Sequence, residues 1–138
     1  MTLTEIFPTY HAGLKIPDYI VDSHRKTWSQ IAFAGEFWSD IDRVEIAKQA
    51  RSARAQRNEL PFNRVHNESH LSRQVLSATH KVAADAGKID RDWAVECVGS
   101  MGAGHYVELV AIVASIAAID AFYEAIGTHG EALPEPAG

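Results

Sequence analysis

The feature that most constrains this chain is its last long apolar run, Tyr106 to Ile126, in which hydrophobic side chains point in nearly every helical direction. A helix without a polar face sits either among other helices or inside a bilayer. Glu108, Asp120 and Glu124 interrupt the run, and a carboxylate at bilayer depth is costly. The run is therefore expected to be the core helix of a bundle, starting at His105 or Tyr106, with no membrane partner. With 138 residues, 46% of them hydrophobic, the chain can bury such a core without staples. A single domain over residues 1–138 is expected.

The remaining helices are read from their ends. A loop-like start over residues 1–17 contains Pro8, Gly13 and Pro17; Asp18 can then cap a helix through Val21, Trp28 and Ile31 toward Gly35. Ser39 is an N-cap candidate with Asp40 and Asp42 in the first turn, where acids suit the helix dipole; this helix should reach about Asn58. Pro61 and its neighbours form a loop, from which Asn67 can open a third helix with Leu71, Val75, Ala78 and Val82 on one face and Gly87 as its stop. Asp90 begins a fourth helix that ends in the run Gly99 to Gly104. No convincing strand appears, so the fold class is all-α, with about five to six helices. The tail from Gly127 to Gly138 has no periodicity and should lie over the surface or be mobile.

Composition narrows the partners. A formal net charge of -5 gives no basic footprint for a phosphate backbone, so nucleic acid is not an expected partner. The first residues lack the basic and apolar regions of a signal peptide, and one cysteine, Cys97, cannot form an internal disulfide; a cytoplasmic protein is expected. Cys97 has no adjacent histidine or lysine to lower its pKa and reads as an inert core thiol.

Several side chains could carry chemistry. Glu108 projects into an apolar surround, where burial would raise a carboxyl pKa toward that of a general acid or base. A carboxylate in a helix's first turn can equally pair with an arginine or cap free backbone amides. His80 falls at the rim of the third helix's apolar face, where an imidazole can exchange protons, or can simply be hydrogen-bonded at a helix seam. His66 and His70 stand four apart, a spacing that can hold a metal, but no third ligand follows at short range and His66 precedes the proposed cap. Arg51, Arg54 and Arg57 with Lys48 form a basic flank that could hold a carboxylate or could be a solvated or paired face. Trp28, Phe33, Phe37 and Trp38 could line a pocket for a planar ligand or pack the core.

Two helix starts echo each other, Arg43-Val44-Glu45-Ile46-Ala47 and Tyr106-Val107-Glu108-Leu109-Val110; chance or a duplicated helical unit would produce so short an echo. The second, continuing through Phe122 and Ile126-Gly127 to Leu133-Pro134-Glu135-Pro136, resembles the C-terminal part of alkylhydroperoxidase D-like proteins, a superfamily that includes carboxymuconolactone decarboxylases. The first, with Ala50-Arg51-Ser52-Ala53-Arg54, is similar to the helix preceding that superfamily's redox motif. The resemblance spans roughly Trp38 to Pro136. It implies a helical bundle assembled as a dimer, trimer or hexamer.

In the peroxidase branch, two cysteines three apart and a histidine follow that helix. Here Gln56 and Glu59 occupy the thiol positions and the histidine position falls near Asn63, so thiol peroxidase activity is not expected. The decarboxylase branch works without thiols, metal or organic cofactor. By that resemblance the chain is expected to be a cofactor-independent lyase or isomerase acting on a small aromatic or unsaturated, carboxylate- or hydroxyl-bearing metabolite. Glu108 would be the buried acid or base, His80 its partner and Glu45 the equivalent carboxylate of the first segment. Trp28, Trp38, Phe37 and Tyr106 would shape the pocket, and Arg51 would hold an anionic group. A non-catalytic oligomeric scaffold and a histidine-dependent metalloenzyme are the alternatives.

Overall fold

The computed structural model describes residues 7–11, 13–64 and 68–138. They form an all-α bundle of five helices: α1 (Asp18–Ala32), α2 (Asp40–Ala55), α3 (Arg73–Ala84), α4 (Arg91–Met101) and α5 (Ala103–Ala125). Short 3₁₀ turns lie at Pro61–Asn63 and Ala86–Lys88. The loop-like N-terminus also holds a small antiparallel ladder, β1 (Tyr10–His11) on β2 (Leu14–Lys15), which alternation over so few residues could not signal. Gly13 beside it adopts φ 76°, a conformation that glycine reaches without steric cost.

Local capping chemistry sets most of the boundaries. Ser39 accepts a hydrogen bond from the Asp42 N–H at 3.1 Å to open α2, and Asp90 accepts from the Trp93 N–H to open α4. Asp18 is the first residue of α1 rather than its cap; Pro17 precedes it with extended backbone and no capping side chain. The larger difference is α3. It opens at Arg73 with Ser72 as cap, not at Asn67, which lies outside the described residues. Ser72 Oγ accepts from the Val75 N–H at 3.2 Å and fixes that start locally, while His70 just before it pairs through Nε2 with Asp42 at 2.6 Å. Helix α2 stops at Ala55, short of Asn58, and α3 stops at Ala84, ahead of Gly87. Gly102, at φ 99°, alone separates α4 from α5, which starts at Ala103 rather than at His105.

Helix α5 is long and apolar enough to cross a bilayer by length and composition, and 39% of its most apolar window is buried in the bundle. Its three acids each meet an arginine of α2: Glu108 with Arg43 at 2.9 Å, Asp120 with Arg51 at 2.9 Å, and Glu124 with Arg54 at 3.7 Å, the last also 3.7 Å from Arg57 just beyond the helix. Residue numbers rise together along these pairs, so the two helices run in the same direction. The basic flank of α2 is thus turned toward acids of its own chain. Between them pack Val44, Ile46, Ala47 and Ala50 of α2 with Leu109, Ile112, Val113 and Ile116 of α5, all buried.

A second cluster fills the space between α1 and the end of α5. Trp28, wholly buried, meets the Phe7 ring edge-on at 4.9 Å, and Tyr123 and His24 complete the group through a 3.2 Å hydrogen bond. Burial lowers the His24 pKa and pushes the Tyr123 phenol up to about 12, with Glu131 adding to the latter shift. The tail crosses this cluster on the surface. Trp28 Nε1 donates to the Ala132 carbonyl, Arg51 Nη1 to that of Glu131, and the Ala137 N–H to that of Ala32.

Candidate functional site

His80 is buried, at 5% exposure, where α3 faces α2. Its Nε2 lies 3.0 Å from Gln49 Oε1, and Gln49 Nε2 lies 3.2 Å from Glu45 Oε1. The arrangement follows from the helix repeat: Glu45 and Gln49 are four residues apart on α2 and share a face, which Gln49 extends into the core at 1% exposure. Chemistry orients the chain. A carboxylate only accepts, so the Gln49 NH₂ turns to Glu45 and its carbonyl oxygen turns to His80. The neutral ring is then the Nε2–H tautomer, with Nδ1, which the surrounding protein encloses, as its basic nitrogen.

His80 forms part of the wall of a cleft of about 310 Å³, together with Arg64, Ser77, Lys81, Asp85 and Lys88. Arg64 organises its far side. The guanidinium makes two hydrogen bonds to Asp85, at 2.6 and 3.2 Å, and reaches the Gln56 carbonyl at 3.3 Å at the C-terminal end of α2. A cation suits that end of a helix dipole. The Arg64 hydrogen bond holds the Asp85 carboxyl below its usual range, helped by Lys88 and Lys81, and the same bond raises Arg64. Lys81 in turn sits over the Trp93 ring, 4.8 Å from its centroid.

Of the two readings the sequence left open for Glu108, the structure shows the second, a carboxylate paired with an arginine and with free backbone amides. Burial by itself would raise its pKa, but N–H groups of Phe37 and Trp38, at 3.2 and 3.0 Å, and the Arg43 guanidinium outweigh that effect. The net shift is downward. Glu108 is therefore held as a carboxylate, capping the turn between α1 and α2. Gly35 makes this possible, since a Cβ there would collide with both Glu108 carboxylate oxygens and with Arg43 Nη1. Glu108 lines a shallow recess with Thr27, Gln30, Arg43 and Ser115, whereas His80 lines the Arg64 cleft. The two side chains face separate spaces and are not partners.

The expected pocket residues are likewise dispersed. Trp28 is a core residue tied to the tail, and Arg51 is bound to Asp120 through two hydrogen bonds, at 3.0 and 2.9 Å, rather than held open for a substrate. Trp38 donates from Nε1 to the His105 carbonyl, and the half-exposed Phe37 ring lies beside His105 and over Gly104. Tyr106 packs near Trp93, its phenol pushed up by burial and by Cys97. Burial pushes the Cys97 thiol up as well, with Glu96 adding to the shift. Among the described residues no group of three or more His, Cys, Asp or Glu could share a metal ion, and His66 lies outside them.

Of the residues singled out from sequence, the structure joins Glu45 and His80. Gln49, which connects them, was missed, although a glutamine on the apolar stripe of Ile46, Ala50 and Ala53 is a legible signal of a buried polar link. Arg64, Lys81, Asp85 and Lys88 were missed because nothing local marks residues that converge from a loop and the end of α3. No family model, curated protein or solved structure matches the chain.

Proposed function

We propose that this chain is a cofactor-independent acid–base enzyme of lyase or isomerase type, with His80 as the group that moves the proton. The observation that carries this reading is the Glu45–Gln49–His80 chain ending at the wall of a cleft. Such a chain fixes the ring's tautomer and orientation, as second-row partners do for reactive imidazoles. Glu45 and Gln49 act as positioning residues. The cleft, at about 310 Å³, suits a small metabolite. In the step proposed, ligand entry uncovers Nδ1, which the closed structure encloses. As an isomerase, the imidazole takes a proton from a carbon next to a carbonyl and the imidazolium returns it at another carbon of the enolate. As a lyase, the bond to a β-keto carboxylate breaks, CO2 leaves with the bonding pair passing to the enolate, and the imidazolium protonates the enolate carbon. Glu108 has no part in it. The placement within the alkylhydroperoxidase D-like superfamily, without its thiols, belongs to the same proposal and is supported by the residues that carry the resemblance.

The same reading makes the chain a homo-oligomer. Large apolar side chains left open, Phe62 at 80%, Val107 at 65% and Val95 at 60% exposure, favour contact with further copies. Sedimentation of the purified protein tests this, and a monomer at micromolar concentration would remove it.

The enzymatic reading is tested by incubating the protein in D₂O with small unsaturated ketones and carboxylic acids and following deuterium incorporation by proton NMR. For a probe that exchanges, His80→Asn should lower the rate by about 10²- to 10⁴-fold. Full exchange by that variant would overturn the proposal. A folded wild-type protein that exchanges no probe supports the non-catalytic scaffold instead.

A further inference from the structure

The His80 cleft carries a charge pattern at odds with the rest of the molecule. The chain has a formal net charge of -5, yet three cations, Arg64, Lys81 and Lys88, line this one cleft against a single carboxylate, Asp85. Glu59 acts on Arg64 from outside the lining. The Arg64 guanidinium is committed to Asp85 by two hydrogen bonds and to the end of α2, so its charge is largely spent. The two ammonium groups are not matched in this way. Both act on Asp85 through space without forming an ion pair with it, and Lys81 is braced by the Trp93 ring, which fixes its position without neutralising it. A concave, partly desolvated site with surplus charge of one sign attracts the opposite charge.

From this juxtaposition we infer that the cleft binds the oxyanion group of its ligand, a carboxylate or a phosphate monoester, through Lys81 and Lys88, and that this group anchors the molecule acted on beside His80. The inference rests on the acid–base reading for its second clause only; the anion site stands on charge and geometry alone. It moves the anion-holding role from Arg51, which Asp120 occupies, to two lysines on and just beyond α3. Ammonium groups, as compact point charges, serve either oxyanion, whereas the planar fork suited to bidentate carboxylate recognition is already engaged.

The test uses the full chain and three probes: sodium crotonate, inorganic phosphate and the neutral analogue crotonamide. Binding is followed by the amide resonances of Ser77, Lys81 and Asp85 in ¹⁵N-labelled protein. Crotonate, phosphate or both should shift these resonances saturably, and crotonamide should not. A response to crotonate alone assigns the site to carboxylates; a response to phosphate alone assigns it to phosphate esters. Neutralising Lys81→Gln and Lys88→Gln together should weaken the bound anion by about tenfold or more, while Lys81→Arg retains it and the surface control Lys26→Gln leaves it unchanged. Because Lys88 is exposed, Lys88→Gln alone, which poses no folding risk, should give a smaller loss in the same direction. Equal binding of crotonate and crotonamide, or unchanged anion binding by the double variant, would overturn the inference. His80→Asn separates the two readings. It should keep anion binding and lose proton exchange; retained exchange removes the acid–base role while leaving the anion site intact.

Discussion

Two glutamates stand in nearly the same local sequence, Glu45 near the start of α2 and Glu108 near the start of α5, and the bundle uses them in opposite ways. Glu108 is saturated: two backbone N–H groups and an arginine hold its carboxylate, and no exchangeable proton remains at neutral pH. Glu45 is paired lightly, through one amide that hands its orientation on to an imidazole. The difference teaches that a half-buried acid in an apolar helix is not by itself a poised acid. What surrounds it decides, and here the surround of Glu108 is donors while that of Glu45 is a relay.

Removing each carboxylate should therefore have unlike consequences. Glu108→Ala leaves the Arg43 charge and two backbone donors without their partner, and should cost about 3 kcal/mol of stability in urea unfolding. Glu45→Ala removes one hydrogen bond at a half-buried site and should cost about 1 kcal/mol or less. Equal losses would break the comparison. Gly35→Ala attacks the Glu108 corner without touching either charge, by driving a methyl group into the ion pair, and should cost about 1–3 kcal/mol. A neutral result would show that the corner has room to adjust.

What could be read from the sequence follows the range of the interactions. Ser39 and Asp90 were legible as caps because a cap bonds to a backbone N–H only three residues away. The core role of the Tyr106 to Ile126 run was legible because its periodicity leaves no polar face. Asn67 was a reasonable cap by type, but Ser72 is an equally good one and is the residue that caps α3, its Oγ accepting from the Val75 N–H; local chemistry offered both and did not choose between them. The donors that saturate Glu108 belong to a turn 71 and 70 residues away, so pairing with an arginine or backbone amides could be named as one alternative, but the groups that supply it could not. The same limit hid the His80 cleft, which exists only after the loop carrying Arg64 folds back onto Asp85.

Acid titration sharpens the comparison further. Glu108 has its folded pKa depressed below the ordinary value of 4.5. Its carboxylate interactions therefore contribute fully above the unfolded pKa, and the contribution is lost as pH falls from about 4.5 through the lower folded value. Asp85, depressed chiefly by its hydrogen bond from Arg64, adds a loss of the same sign from its ordinary 3.8 downward. In thermal unfolding scans at falling pH, Glu108→Gln should flatten the upper part of this decline and leave the Asp85 part in place. An unchanged slope would mean that Glu108 is not held as a carboxylate.

The smallest effect is the most discriminating one. Glu45→Gln keeps shape and polarity, and its side-chain amide can still accept from Gln49, so stability should shift by about 0.5 kcal/mol or less. Gln49 is then no longer compelled to present its carbonyl oxygen to His80. Turnover of any exchanging probe should fall by about tenfold while its KM stays put, since the bound ligand does not touch Glu45. Gln49→Glu at the next position restores a charge one link closer to the imidazole and should recover part of that loss in the Glu45→Gln background. A structural role for Glu45 predicts the reverse pattern, with stability falling and turnover per folded molecule unchanged.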